Sequence, residues 1–204
     1  MKTSNAVTAA AVLGTAYVAA QLVADVSAVK IITTPFGAVP GGTYIFALTF
    51  TLRDLIHRRL GKSVALWFVA LAALANLFLV GYTTFVSHAT PAPFDTANVA
   101  FAAVFAVVPI ITLASIIAEL VSETADTLVY ERIYRRSHIA GMLVSNLFGT
   151  ILDSAIFIAI AFGASGMPVS ALASMVGSTA AFKFVVAGVL ALAAWGLSNH
   201  VAQE

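Results

Sequence analysis

The sequence predicts an all-α membrane protein, a bundle of six transmembrane helices with both termini in the cytoplasm. Composition, the spacing of apolar stretches and the placement of basic residues lead to this prediction. Of the 204 residues, 61% are hydrophobic and 9% are charged, and the mean hydropathy is +1.00. A soluble domain carries about 25% charged residues. A surface of this composition needs lipid around it, and no nucleic-acid-binding surface is expected.

Six apolar stretches are long enough to cross about 30 Å of hydrocarbon, which takes about 20 helical residues. Segments rich in Pro and Gly separate most of them. The second stretch is the most polar, because it ends in Arg53 and Asp54. The first runs on without a small-residue cleavage site, so no cleaved signal peptide is expected. The predicted spans, which make residues 1–204 a single transmembrane domain, are about 6–29, 39–56, 64–86, 99–127, 142–162 and 168–197.

Basic residues are segregated between the connecting loops, and this predicts the orientation. Lys and Arg in short loops are retained on the cytoplasmic side. The loops between spans three and four and between spans five and six hold none, and Lys30 is the one contrary charge. We therefore expect a multi-pass protein of the cytoplasmic membrane. The basic loops are those after span two, with Arg53, Arg58, Arg59 and Lys62, and after span four, with Arg132, Arg135 and Arg136.

Polar residues recur at steps of three and four on three of the spans, which places each set on one helix face. Lys183 is a further polar group, near the middle of the last span. Because a charge in a bilayer costs about 2.5–3.5 kcal/mol, such faces are expected to line a protein interior or a wet cavity. The three stripes are Tyr17, Gln21 and Asp25 on span one; Thr112, Ser115, Glu119, Ser122 and Asp126, with Glu123 beside them, on span four; and Asn146, Thr150 and Asp153 on span five.

The stripes allow two interpretations. Single hydroxyls on membrane helices more often only join helices by hydrogen bonds. The buried charges Glu119, Asp153 and Lys183 are costlier, and they favour a polar cavity in a transporter. A Lys183–carboxylate pair could also be purely structural. Four further carboxylates are assigned gating or structural roles, namely Asp25, Asp54, Glu123 and Asp126.

Other protein classes receive little support from the residues. No Walker motif is present, so ATP hydrolysis would have to come from a partner. The chain lacks cysteine, and its four histidines fall in loops or at helix ends without metal-ligand spacing. An Asp126–Asp153 protease dyad would need two carboxylates of similar depth, and these differ. We therefore expect no enzyme, catalytic residue, metal or cofactor. No filter-like segment indicates a channel.

Two segments carry motifs of a known kind. The first is Gly42–Asp54, GTYIFALTFTLRD, followed by Leu60-Gly61-Lys62 and Ala65. The second comprises Ser115–Asp126, the basic loop at Arg132–Arg136, and Asn146–Gly163 with the motif DSAIF from Asp153. Together they cover about half the chain, and they resemble the queuosine precursor transporter family, a vitamin-uptake-like family. Departures from the family pattern are Arg53, Ser154 in place of Thr, and His57-Arg58-Arg59-Leu60 before Gly61.

The resemblance implies uptake of 7-cyano-7-deazaguanine or 7-aminomethyl-7-deazaguanine across the cytoplasmic membrane. It also implies a fold similar to the substrate-binding components of energy-coupling-factor transporters, and such a vitamin-binding subunit is the alternative function. Expected partners are the 7-deazapurine, the lipid bilayer, and a second copy or an energising protein. The ligand's adjacent N–H donors suit a carboxylate, and its carbonyl suits a donor such as Lys or Asn. The candidate contacts are Glu119 or Asp153 as the carboxylate, Lys183 and Asn146 as donors, Gln21 as a further polar contact, and Phe50 or Phe157 as stacking surfaces.

Overall fold

The computed structural model describes the backbone of residues 3–134 and 138–201. Side chains are described for 7–53, 55–126, 128–129, 132–133, 144–186 and 188–189. Within these limits the chain forms seven helices and one β-hairpin. The elements are α1 (Thr3–Ser27), β1 (Ile31–Thr34), β2 (Gly37–Pro40), α2 (Thr43–Leu60), α3 (Lys62–His88), α4 (Asn98–Phe105), α5 (Val108–Tyr134), α6 (His138–Phe162) and α7 (Val169–Val201).

Five described segments are long and apolar enough to cross a membrane. Their apolar side chains face outward: Phe78 and Phe85 on α3 are 73% and 72% exposed. Water would solvate such a surface poorly, whereas lipid tails cover it at no cost. The chain is therefore a multi-pass helical membrane protein, as its composition predicted. The five segments are Val7–Ser27, Lys62–His88, Asn98–Asp126, Val144–Phe162 and Val169–Val186.

The second predicted span, 39–56, differs in its bounds from the helix in the structure, and its crossing of the membrane stays a prediction. Helix α2 begins at Thr43 and ends at Leu60, and it is not among the five membrane-length apolar segments. Its last turn carries three basic or titratable side chains, His57, Arg58 and Arg59. It packs against α1, α3 and α7, and it buries Ala47 and Ile56 in these contacts. The described residues thus support five apolar spans with α2 packed among them.

A β-hairpin replaces the loop expected before α2. Strands β1 and β2 pair in antiparallel register from Ile31 opposite Pro40 to Thr34 opposite Gly37. Thr34 Oγ1 donates to the Gly37 carbonyl oxygen at 2.8 Å, and Gly37 has a φ of 120°, a conformation that favours glycine. In the sequence this segment is distinguished only by its proline and glycine residues, which predict a loop. The hairpin is stabilised by tertiary packing that no local pattern reveals.

The hairpin packs against the middle of α7 and not against its end. Phe36 meets the ring of Phe182 edge to face, with 6.1 Å between centroids, and Gly37 lies against Ser178. Ser178 is about 14 Å along the helix axis from Val169, at 1.5 Å per residue. The bundle covers one side of the hairpin: Thr34, Val39 and Pro40 are buried, whereas Ile31, Thr33 and Phe36 are exposed.

Two apolar clusters flank a polar interior. One contains Tyr17, Ile56 and Ala72, where α1, α2 and α3 meet. The other contains Ile158 and Met175 on α6 and α7, with Ala38 of the hairpin against them. Between the clusters, buried polar side chains from α1, α5, α6 and α7 converge.

Candidate functional site

A narrow cavity with several polar groups in its walls lies where α1, α2, α5, α6 and α7 meet beside the hairpin. Its walls combine charged, hydroxyl and aromatic side chains with the close-packed backbone of the α1–α2 junction. This mixture of a few polar groups in an apolar enclosure is typical of small-molecule sites. The lining residues are Ala24, Asp25, Ala28, Pro40, Gly42, Thr43, Phe46, Ser115, Asp153, Phe157, Thr179 and Lys183.

An ion pair between α6 and α7 forms one wall. Lys183 Nζ donates to Asp153 Oδ2 at 2.5 Å, and the two residues are 5% and 2% exposed. Lys183 Nζ also lies 4.4 Å from the centroid of the Phe46 ring, in a cation–π contact. Each charge would be costly to bury alone, so each stabilises the other. Charged residues within apolar spans are the sequence feature that most strongly favours a site. The structure places two of them, Asp153 and Lys183, in contact.

A second carboxylate, Asp25, faces the cavity from the last turn of α1. Its two oxygens each accept a hydrogen bond from a hydroxyl on α5: Thr112 Oγ1 at 3.0 Å and Ser115 Oγ at 2.7 Å. The side chain is fully enclosed. The stripes predicted on spans one and four thus meet each other, because both faces carry groups that need polar partners.

One cavity hydroxyl has no partner among the described residues. Thr179 Oγ1 is buried, and it neither donates a hydrogen bond to these residues nor accepts one from them. A buried hydroxyl without a partner costs free energy that a ligand atom could recover. Thr179 and Phe46 are not among the contacts predicted from the sequence. Thr179 lies four residues before Lys183 on α7, a spacing that could have placed it on the same face.

A second group of polar side chains lies between the cavity and the end of the bundle at which α2 ends, at Leu60. We call this group the lower polar layer. Tyr17 lies two turns before Asp25, about 12 Å along α1. Gln21 Nε2 donates to the Tyr17 hydroxyl at 3.1 Å, and that hydroxyl donates to Glu119 Oε1 at 3.4 Å. Arg53 on α2 forms an ion pair with Glu123 on α5 in the same layer.

The cavity is narrow in this conformation. About 20 Å³ of it admits the centre of a water molecule. That is room for about one water. A heterocycle could enter only if the side chains that line the cavity moved apart.

The structure brings together three of the seven predicted contacts. Asp153, Lys183 and Phe157 line the cavity. Gln21 and Glu119 lie in the lower polar layer, and so does Phe50, whose ring is 5.6 Å from the Arg53 guanidinium carbon.

Asn146 does not line the cavity, since it is exposed on α6, and its contact with a ligand stays a prediction. It lies about 10 Å along the helix from Asp153, where the same face is no longer covered. Its backbone oxygen accepts a hydrogen bond from Thr150.

The four residues assigned gating or structural roles lie in different places. Asp25 lines the cavity, and Glu123 pairs with Arg53. Asp126 lies against Gly149 where α5 and α6 pack, and its Oδ1 is buried without a described partner. The side chain of Asp54 lies outside the described residues. Among the residues searched, no group of three His, Asp or Glu side chains could hold a metal ion.

The fold and the site define a multi-pass helical membrane protein with charged side chains enclosed between its helices. Residues 40–195 match the model of a family described as "Putative vitamin uptake transporter". Because the match covers most of the chain, the protein belongs to this family. The match confirms the vitamin-uptake-like family that Gly42–Asp54 and Ser115–Gly163 resemble. Comparison with curated proteins and with solved structures finds no significant match.

Proposed function

We propose that this protein imports a 7-deazaguanine precursor of queuosine, the 7-cyano or the 7-aminomethyl compound, across the cytoplasmic membrane. The observation that carries the proposal is the buried Asp153–Lys183 pair in a cavity that also offers an unpartnered hydroxyl, Thr179. The deazaguanine edge carries adjacent N–H donors and a carbonyl. Asp153 accepts from the donors, and Lys183 and Thr179 donate to the carbonyl.

Two aromatic rings support a planar ligand in the same cavity. Phe46 lies on α2 and Phe157 on α6, and both line the space beside the ion pair. Offset stacking on such rings contributes about 0.5–1.5 kcal/mol beyond area burial. A flat bicyclic ring uses this arrangement, whereas a flexible lipid does not need it.

The charge of the interior favours neutral or cationic ligands. Asp25 and Asp153 line the cavity, Glu119 lies just below it, and Lys183 is the one cation among the described lining residues. An anionic ligand would add a further acidic group beside these side chains, and Lys183, which could neutralise it, already pairs with Asp153. This argues against a carboxylate-bearing vitamin as the substrate of an energy-coupling-factor subunit, and it agrees with a deazaguanine.

Cells unable to make the precursor provide the test of function. With this protein present, supplied precursor is expected to restore queuosine in tRNA. Loss of a charged hydrogen-bond partner costs about 1.5–3 kcal/mol, so Asp153→Asn is expected to lower precursor accumulation about 10- to 100-fold. Glu119→Gln tests the other candidate carboxylate. Asp95→Asn is the matched control, because Asp95 is exposed in the loop before α4.

The assignment of the carboxylate fails if Asp153→Asn and Glu119→Gln both accumulate labelled precursor like the parent. The function fails if the parent protein does not restore the modified nucleoside although it is present in the membrane.

The orientation proposed with this function has both termini in the cytoplasm. Single cysteines introduced into the cysteine-free chain at Arg58 and Lys62 are expected to resist a membrane-impermeant thiol reagent in intact cells. Cysteines at Asp95 and Ser165 are expected to react. All four positions are exposed, so burial does not confuse the result. Labelling of the Arg58 position from outside would reverse the orientation.

A further inference from the structure

Acidic side chains outnumber basic ones among the described residues that line the cavity. Two carboxylates, Asp25 and Asp153, face it, and Lys183 is the one cation among the described lining residues. Lys183 contacts Asp153 at 2.5 Å. Asp25 receives only the neutral hydroxyls of Thr112 and Ser115. Hydroxyl dipoles lessen the cost of burying a carboxylate, but they supply no opposite charge.

The charged groups on the neighbouring elements do not give Asp25 a cationic partner either. On α2, Arg53 is paired with Glu123 of α5 in the lower polar layer. On α5, Glu119 adds a further negative group. The hairpin from 31 to 40 has no charged residue, and Lys30 before it is exposed. Asp25 thus has no cationic partner among the described residues.

The backbone near Asp25 adds to the negative potential. Asp25 lies in the last turn of α1, which ends at Ser27. The carbonyl groups at a helix C-terminus carry partial negative charge and favour cations. The side chain of Asp25 and the C-terminus of α1 therefore both favour a cation at this wall of the cavity.

We propose that Asp25 is the counter-charge for a cationic arm of the ligand, so that the site selects the 7-aminomethyl compound over the 7-cyano compound. This rests on the proposed function. A primary alkyl amine is protonated at neutral pH, as the lysine side chain is, whereas a nitrile is neutral. The ammonium group would donate to Asp25 while the guanine-like edge meets Asp153 and Lys183.

Binding to the purified full-length protein in nanodiscs tests this with three ligands: the 7-aminomethyl compound, the 7-cyano compound and the 7-hydroxymethyl analogue. The hydroxymethyl analogue matches the aminomethyl group in size but lacks its charge. The parent protein is expected to bind the aminomethyl compound at least about tenfold more tightly than either neutral ligand, as one charge-assisted hydrogen bond implies. This part of the test needs no variant.

In Asp25→Asn, the Kd values of the aminomethyl compound and the neutral ligands are expected to lie within about threefold of each other. Asp95→Asn is expected to keep the preference of the parent protein. Size-exclusion profiles and Tm values establish that the variants are folded. Equal binding of all three ligands by the parent, or an unchanged ratio in a folded Asp25→Asn variant, would overturn the counter-charge proposal and leave the proposed function standing. Failure of the parent to bind any of the three would overturn the proposed function itself.

Discussion

Replacing Lys183 by methionine is expected to abolish precursor binding and to lower the free energy of unfolding by about 3–5 kcal/mol, because Asp153 would be left buried without its partner. Methionine keeps the length and most of the volume of lysine. Any loss therefore reports the charge and not a cavity. Thermal denaturation of the purified protein in detergent and ligand binding measure the two effects.

The double variant Lys183→Met with Asp153→Asn separates stability from function. Without either charge the desolvation cost disappears, so Tm is expected to recover most of the loss while binding stays absent. Lys62→Met is the matched control, since Lys62 is exposed at the start of α3. If the single variant Lys183→Met bound ligand like the parent, the ion pair would not belong to the site.

Replacing Gly42 by alanine is expected to have the second large effect. A Cβ there would overlap the carbonyl oxygen of Ala24 and would lie 2.8 Å from its carbonyl carbon. Backbone atoms of α1 cannot rotate away as a side chain can, so α1 and α2 must separate. Overpacking of this kind costs about 1–3 kcal/mol, and the strain falls on a cavity wall that includes Asp25. We expect a lower Tm and precursor uptake reduced about tenfold or more.

Gly81→Ala and Gly177→Ala are the matched controls. Both glycines lie inside helices, and a Cβ at either position would meet nothing within 4 Å. Alanine in a helix is favoured over glycine by about 0.5–1 kcal/mol, so these variants are expected to be at least as stable as the parent. A Tm for Gly42→Ala equal to theirs would contradict the close α1–α2 approach.

The burial of the polar stripes could be predicted because it follows from two local rules. Helical periodicity aligns Tyr17, Gln21 and Asp25, and the cost of charge in lipid turns such a face inward. The structure agrees for these residues and for Thr112 and Ser115, which donate to Asp25. The same reasoning predicts that Asp153 and Lys183 are buried charges, and in the structure the two are buried in contact with each other.

Three features could not be predicted, because each depends on tertiary packing. The hairpin of β1 and β2 is stabilised against Ser178 and Phe182, which lie far along the chain. As a result α2 starts at Thr43, later than the apolar pattern indicated. Asn146 shares a helix face with Asp153, yet it is exposed, since periodicity specifies a face and not how far along the helix that face is covered.

Counterflow in proteoliposomes tests most directly whether this cavity carries a 7-deazaguanine precursor across the membrane. Liposomes containing only the purified protein and loaded with unlabelled 7-aminomethyl-7-deazaguanine are placed in dilute labelled compound, an arrangement that needs no energy source. We predict transient accumulation of label by the parent protein and none by Lys183→Met. Accumulation no greater than in protein-free liposomes, or equal accumulation by the parent and by Lys183→Met, would contradict the account.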